Sequence, residues 1–146
     1  MKPVLTALLI ACALPAAAAE RAPLNRLAGP VPAEVIAVLD GDTLKVRAHI
    51  WLGQEVETLV RVFGIDAPEL KGKCAGERAA ARRAKEALAE QIGGGAVVLR
   101  DIRFEKYAGR VMSRVEADGV DVGRALVGAG FARAYWGKKR GTWCGS

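Results

Sequence analysis

Four carboxylates and two arginines in this chain could do chemistry together. Asp40 and Asp42 flank Gly41 at the end of one apolar run, and Asp66 and Glu69 stand astride Ala67-Pro68 at the end of another, RVFGIDAPEL (residues 61–70). Carboxylates gathered in one place offer the oxygen ligands that hard divalent cations take, with water completing the shell. They also repel one another, so a cation among them stabilises the group. Arg61 lies within the second run, and Arg110 closes the stretch Lys106-Tyr107-Ala108-Gly109-Arg110. Guanidinium groups beside a metal–carboxylate cluster suit a phosphodiester, because attack on phosphorus puts charge on equatorial oxygens that arginine and metal both stabilise. Glu69 would sit beside the cation, where a carboxylate can take a proton from an attacking water.

Each feature taken alone has a plainer reading. Asp40-Gly41-Asp42 is a turn signal, Asp66-Ala67-Pro68-Glu69 is a loop start, Arg61 is an exposed strand charge, and Lys106-Tyr107 is a solvated turn. His49 is the single histidine. It alternates onto the polar side of its strand with no obvious partner, and it is given no catalytic role.

What decides between these readings is whether the elements bring the six residues together. Val31, Ala33, Val35, Ala37 and Leu39 alternate, as do Leu44, Val46, Ala48, Ile50 and Leu52 with Thr43, Lys45, Arg47, His49 and Trp51 opposite. Both runs have the period of a half-buried strand, and the Asp-Gly-Asp turn between them reads as a hairpin. Gly53-Gln54 turns the chain again into a third strand over residues 55–65, which Pro68 ends. Ala80, Ala84, Ala87, Leu88 and Ile92 recur at helical spacing, and Gly93-Gly94-Gly95 stops that helix. The triple glycine follows a helix and precedes a strand, so it is a linker and not a phosphate-cradling loop. Two more strands, 96–104 and 111–117, lead to Asp121, which can cap a short helix carrying Val122, Ala125, Leu126 and Ala129. The fold expected is therefore α+β and mainly β: a five-stranded oligonucleotide/oligosaccharide-binding (OB) barrel with a helix after strand three and a short helix after strand five. If the ends of strands one and three neighbour each other, the carboxylates meet at one rim.

The rest of the chain bounds the setting. Lys2, an apolar stretch over residues 4–14 and small residues at 16–19 make a secretory leader, with cleavage expected near Ala19/Glu20. Leu9-Ile10-Ala11-Cys12 also has the shape of a lipoprotein box, which leaves lipidation of Cys12 as a second reading. Residues 20–30 form a polar lead-in, and residues 31–146 a single domain with an aromatic, basic tail containing Tyr135, Trp136, Lys138, Lys139, Arg140 and Trp143. The destination is the periplasm or the exterior, as a monomer without stable membrane association once the leader is removed. Two cysteines then remain, Cys74 and Cys144, and in an oxidising compartment such a pair is expected to bridge. Zinc would need more ligands than these and His49 supply. With 22 basic and 16 acidic residues the chain carries a net charge of +6, which points to an anionic partner, nucleic acid before a membrane surface.

Laid out in order, these segments resemble the staphylococcal (micrococcal) nuclease family, the thermonucleases. The likeness rests on Val38-Leu39-Asp40-Gly41-Asp42-Thr43, on Arg61-Val62-Phe63-Gly64-Ile65-Asp66-Ala67-Pro68-Glu69, and on Lys106-Tyr107-Ala108-Gly109-Arg110. It continues through Ala117-Asp118-Gly119 and Ala125-Leu126-Val127-Gly128-Ala129-Gly130-Phe131-Ala132, so that it covers residues 33–136. The resemblance implies a Ca²⁺-dependent endonuclease acting on DNA and RNA. By position, Asp42 and Asp66 match the calcium carboxylates, Ala67 the residue lending a carbonyl, and Asp40 the acid just behind the metal. Arg61 and Arg110 match the catalytic arginines and Glu69 the presumed general base. Lys106 and Tyr107 match residues near a substrate phosphate, and Tyr135 or Trp136 falls near the base-stacking aromatics. The chain departs from the family pattern in three places. Ala108 is an extra residue before Gly109-Arg110, the segment after Glu69 is short, and a basic tail ending in Trp143-Cys144 stands where the prototype has a long third helix. The competing reading is a non-catalytic OB module that holds nucleic acid or another polyanion. Such a module has no need to keep Asp42, Arg61, Asp66, Glu69 and Arg110 together.

Overall fold

Apolar alternation brings five long strands together around one core. In the computed structural model, which describes residues 25–106 and 109–145, the elements run β1 (Arg26–Leu27), β2 (Val31–Asp40), β3 (Thr43–Trp51), β4 (Gln54–Val62), β5 (Ile65–Asp66) and α1 (Ala75–Ile92). They continue with β6 (Ala96–Phe104), β7 (Arg110–Ala117), β8 (Val120–Asp121), α2 (Val122–Gly128) and β9 (Arg133–Ala134). The expected secretory leader, Cys12 and Tyr107 lie outside the described residues. Among those described, no helix is long and apolar enough to cross a membrane.

β2, β3 and β4 form an antiparallel meander, β6 and β7 form a hairpin, and β6 pairs back onto β2. The ring closes because β4 and β7 run parallel, with Leu59 opposite Arg110 and Val62 opposite Ser113. A parallel contact needs a long crossover, and α1 supplies it. The result is a closed five-stranded OB-type barrel with two helices. Leu44, Val46, Val60, Val62, Leu99 and Val115 fill its interior, none more than 2% exposed. α1 lays Ala84, Leu88 and Ile92 against it, and α2 adds Val122 and Leu126. Both helices begin on capping side chains: the Cys74 sulfur accepts from the Glu77 N–H, and the Asp121 carboxylate from the Arg124 N–H.

Some of the alternation goes elsewhere. The register of β2 on β3 shifts between Val35 and Ala37 and again between Val38 and Asp40. These bulges put Val38 against the core and leave Leu39 exposed. Ile50 and Leu52 are exposed too, since the tip of the β3–β4 hairpin projects past the core. The third strand ends at Val62; Gly64 takes a positive φ of 84°, and Ile65–Asp66 pairs instead with Arg133–Ala134. Part of the lead-in is ordered, as Arg26 and Leu27 pair with Arg103 and Ile102 of β6. On the outer face His49 does have partners: its Nδ1 lies 3.0 Å from Glu55 and its Nε2 4.0 Å from Glu34.

Candidate active site

The ends of β2 and β4 and the start of β7 meet at one rim of the barrel. The β2–β3 turn carries Asp40 and Asp42, and it is tied to β4 by a hydrogen bond from the Val62 N–H to the Asp42 carbonyl (2.8 Å). Register does the rest: Thr43 pairs with Arg61, which pairs in turn with Met112 two residues beyond Arg110. Gly41 lets the turn pack down, because a β-carbon there would stand 2.7 Å from the Ala84 β-carbon and 2.9 Å from that of Ala67. Pro68, fully buried, ends β5 and swings Glu69 back towards the rim.

Asp42 is the centre of the contacts. Its Oδ2 accepts from Arg61 Nη1 at 2.7 Å and from the Ala67 N–H at 3.2 Å, and its Oδ1 accepts from the Thr43 hydroxyl at 3.0 Å. Asp40 accepts from the Asp42 N–H at 3.1 Å. Arg61 continues across to the Ile65 carbonyl (3.3 Å) and lies 3.8 Å from Asp66. Burial raises the Asp42 carboxyl above the usual carboxylate value; Arg61 opposes this and Asp40 adds to it. A carboxylate in that position gains from any further cation.

Arg110 reaches the site despite the extra Ala108. It lines one cavity of about 460 Å³ with Asp40, Asp42, Arg61, Ala67, Glu69 and Arg140. Glu105 orients it with a two-pronged pair, 2.9 Å from Oε1 to Nη2 and closer still from Oε2 to Nε. That bonding holds the guanidinium above its ordinary value against partial burial. Glu105 also stands 3.9 Å from Arg61 Nε, so a single carboxylate spaces both arginines. Asp66 does not line this cavity; it sits behind it, 4% exposed, reached through Arg61 and Arg140.

Glu69 is carried on a loop that α1 holds. Glu77, buried on the first turn of α1, accepts from the Glu69 N–H (3.4 Å) and the Lys73 N–H (3.0 Å). The structure pairs Cys74 with Cys144 (Cα–Cα 6.0 Å), and this draws the C-terminal residues over the site. Arg140 ion-pairs with Asp66 and Glu69 and donates to the Ala67 carbonyl at 3.4 Å. The Trp143 indole N–H donates to Asp66 at 3.2 Å.

The remaining candidates stand apart. Lys106 is exposed on the β6–β7 connection and Tyr107 lies outside the described residues. Trp136 is exposed and meets the Phe63 ring edge-on at 5.6 Å, over a separate cavity of about 350 Å³. Tyr135 lines a third cavity with Asp66, Arg133 and Lys138. Conversely, Glu105, Glu77, Arg140 and Trp143 belong to the site and are not singled out by the sequence. Glu105 had a signal, a carboxylate directly before Lys106. The roles of Arg140 and Trp143 follow from a tail that folds back, for which the expected Cys74–Cys144 bridge was the one signal in the sequence.

The donor set fits a hard divalent cation. Two buried carboxylates, Asp42 and Asp66, and the Ala67 carbonyl are all oxygen, with Asp40 and Glu69 close by and neither imidazole nor thiolate among them. Comparison with curated proteins gives no match. A family model described as staphylococcal nuclease homologue matches residues 59–142, more than half of the chain. The match takes in Arg61, Asp66, Glu69, Arg110 and Arg140 and begins after the Asp40–Asp42 turn, which the fold restores to the same rim. The chain belongs to the staphylococcal nuclease homologue family.

Proposed function

We propose that the protein is an exported, calcium-dependent nuclease that hydrolyses phosphodiester bonds of DNA or RNA. The observation that carries this reading is the single cavity on which Asp42, Arg61, Glu69 and Arg110 converge with Ala67 and, behind it, Asp66. A pure binding module gains nothing from two arginines held against three carboxylates. Asp42, Asp66 and the Ala67 carbonyl would hold calcium, which when bound supplies a fixed positive charge for the phosphate oxygens.

The chain's own residues do the rest. Arg61 and Arg110 are braced by Asp42 and Glu105, so their guanidinium planes are set before substrate arrives; they donate to the non-bridging oxygens as charge builds there. Glu69, on the open side of the cavity, takes a proton from the attacking water. The water oxygen bonds to phosphorus, the 5′ oxygen leaves, and a phosphomonoester and an alcohol result. Lys71, which also lines the cavity, adds charge along the strand's path.

The test is cleavage of single-stranded DNA and RNA by the purified protein with calcium and with chelator. Calcium-dependent cleavage is expected, falling about 10²–10⁴-fold in Glu69→Gln and about 10²–10³-fold in Arg61→Ala. Cleavage that survives chelation, or that the two substitutions combined leave intact, would sink the proposal.

A further inference from the structure

The tail of the chain sits where the cation's ligands are. Arg140 Nη2 lies 2.5 Å from Asp66 Oδ1 and 3.4 Å from the Ala67 carbonyl, and its Nη1 pairs with Glu69. The other Asp66 oxygen accepts from Trp143 at 3.2 Å. Two of the three groups suited to a divalent cation, and the carboxylate suited to be the base, are thus engaged by two residues of one segment, Arg140 and Trp143. Residues 135–145 contain no helix or strand. They are held by Arg133, which stacks on the Trp143 ring at 3.8 Å and donates to the Thr142 carbonyl at 2.7 Å. They are also held by Cys144 on Cys74, the cap of α1.

We propose that Arg140 is a further residue of this site, an internal occupant of the divalent cation's donors, and that the Cys74–Cys144 bond sets how strongly it competes. This inference rests on the function proposed above and concerns the regulation of the same site. A guanidinium and a divalent cation cannot both hold Asp66 Oδ1, so cation affinity falls by the factor with which Arg140 occupies it. Tethering keeps that occupancy high, because a guanidinium fixed at both ends of a short strap acts at a large effective concentration. Opening the bond leaves residues 140–144 held by Arg133 alone, and keeping them ordered then costs conformational entropy that the bond no longer offsets. A dithiol reductant opens it by two exchange steps, leaving two thiols on the chain and one disulfide on the reductant. Reduced protein therefore takes the cation more tightly than oxidised protein.

The test is calorimetric titration of Ca²⁺ into five forms: oxidised wild type, dithiol-reduced wild type, Arg140→Gln, Cys144→Ser and the double variant. Arg140→Gln is expected to bind Ca²⁺ at least fivefold more tightly. Reduction and Cys144→Ser are expected to shift affinity the same way by a smaller factor, and the double variant to bind no more tightly than Arg140→Gln. Arg140 is partly exposed, so its replacement tests the idea even where Cys144→Ser folds poorly. Affinity in Arg140→Gln equal to or weaker than wild type overturns the proposal, as does a Cys144→Ser gain that adds in full to that of Arg140→Gln. Calcium binding by none of the five overturns both this proposal and the cation of the proposed function. The expected shifts in a protein that cleaves nothing would leave Arg140's role standing and remove the nuclease reading alone.

Discussion

Asp42 is buried beside a second carboxylate and would nonetheless have to be ionised to hold the proposed cation. Burial lifts its carboxyl, and Asp40 lifts it further, while Arg61 and the hydrogen bonds from Ala67 and Thr43 pull the other way without cancelling the rise. An acid whose folded-state value exceeds its unfolded one stabilises the fold at low pH, and that contribution disappears as pH climbs through the raised value. Asp42→Asn has no such titration. In chelator, the melting temperature of Asp42→Asn relative to wild type is therefore expected to climb between about pH 3 and neutrality, while cation binding is lost. A difference that stays flat or falls over that window would mean that the Arg61 pair outweighs burial. The site thus gives up some stability for charge in the place where charge is used.

At the scale of elements, the site depends on how closely the β2–β3 turn approaches α1 and the Ala67 loop. The gap holds no β-carbon at Gly41, since contacts of 2.7 and 2.9 Å to Ala84 and Ala67 would result. Gly41→Ala is expected to destabilise the protein by about 1–3 kcal/mol, as overpacking does. It should also lower cleavage at temperatures where the protein is still folded, because the displaced groups are Asp42 and Ala67. Denaturant unfolding measures the first effect and single-strand cleavage the second; wild-type values for both would remove Gly41 from this role. α1 acts at its other end through Glu77, whose carboxylate holds the loop bearing Glu69. Glu77→Ala leaves those two amides without their acceptor, and it is expected to reduce kcat more than it weakens DNA binding in chelator. The reverse ranking would make Glu77 a matter of substrate affinity.

For the whole molecule, the net charge of +6 is unevenly spent. On the outer face of β2, β3 and β4, Lys45, Arg47 and His49 are matched by Glu34, Glu55 and Glu57, pairs whose exposure limits their worth to stability. The cations about the rim, Arg61, Lys71, Arg110 and Arg140, face a cavity. Binding of single-stranded DNA by Glu69→Gln in chelator is expected to weaken steadily with salt, the logarithm of the binding constant falling by about 0.7 for each phosphate neutralised with every tenfold rise in salt. Binding indifferent to salt would show that these cations do not meet the backbone.

Much of this was legible in the sequence, for physical reasons that are local. Period-two alternation in β3 and the helical spacing of Ala84, Leu88 and Ile92 reflect which side of an element is buried, so the barrel strands and α1 could be read directly. Asp40, Asp42, Arg61, Asp66 and Glu69 could be read as partners because they fall at the ends of strands that a five-stranded barrel places side by side. The extra Ala108 put the place of Arg110 in question; pairing of β7 with β4 and the brace from Glu105 bring it to the cavity. Residue types and alternation by themselves pointed to the OB-type architecture and offered an oxygen-rich, arginine-flanked site beside plainer turn readings, between which the resemblance in motif order and spacing chose. Only the tertiary structure decided that bulges turn Leu39 outward, that Glu105 spaces the two arginines, and that Arg140 and Trp143 return over Asp66. The bulges and the Glu105–Arg110 pair lie within short stretches of chain but depend on how the barrel packs, whereas Trp143 and Asp66 meet across 77 residues, which no window along the chain spans.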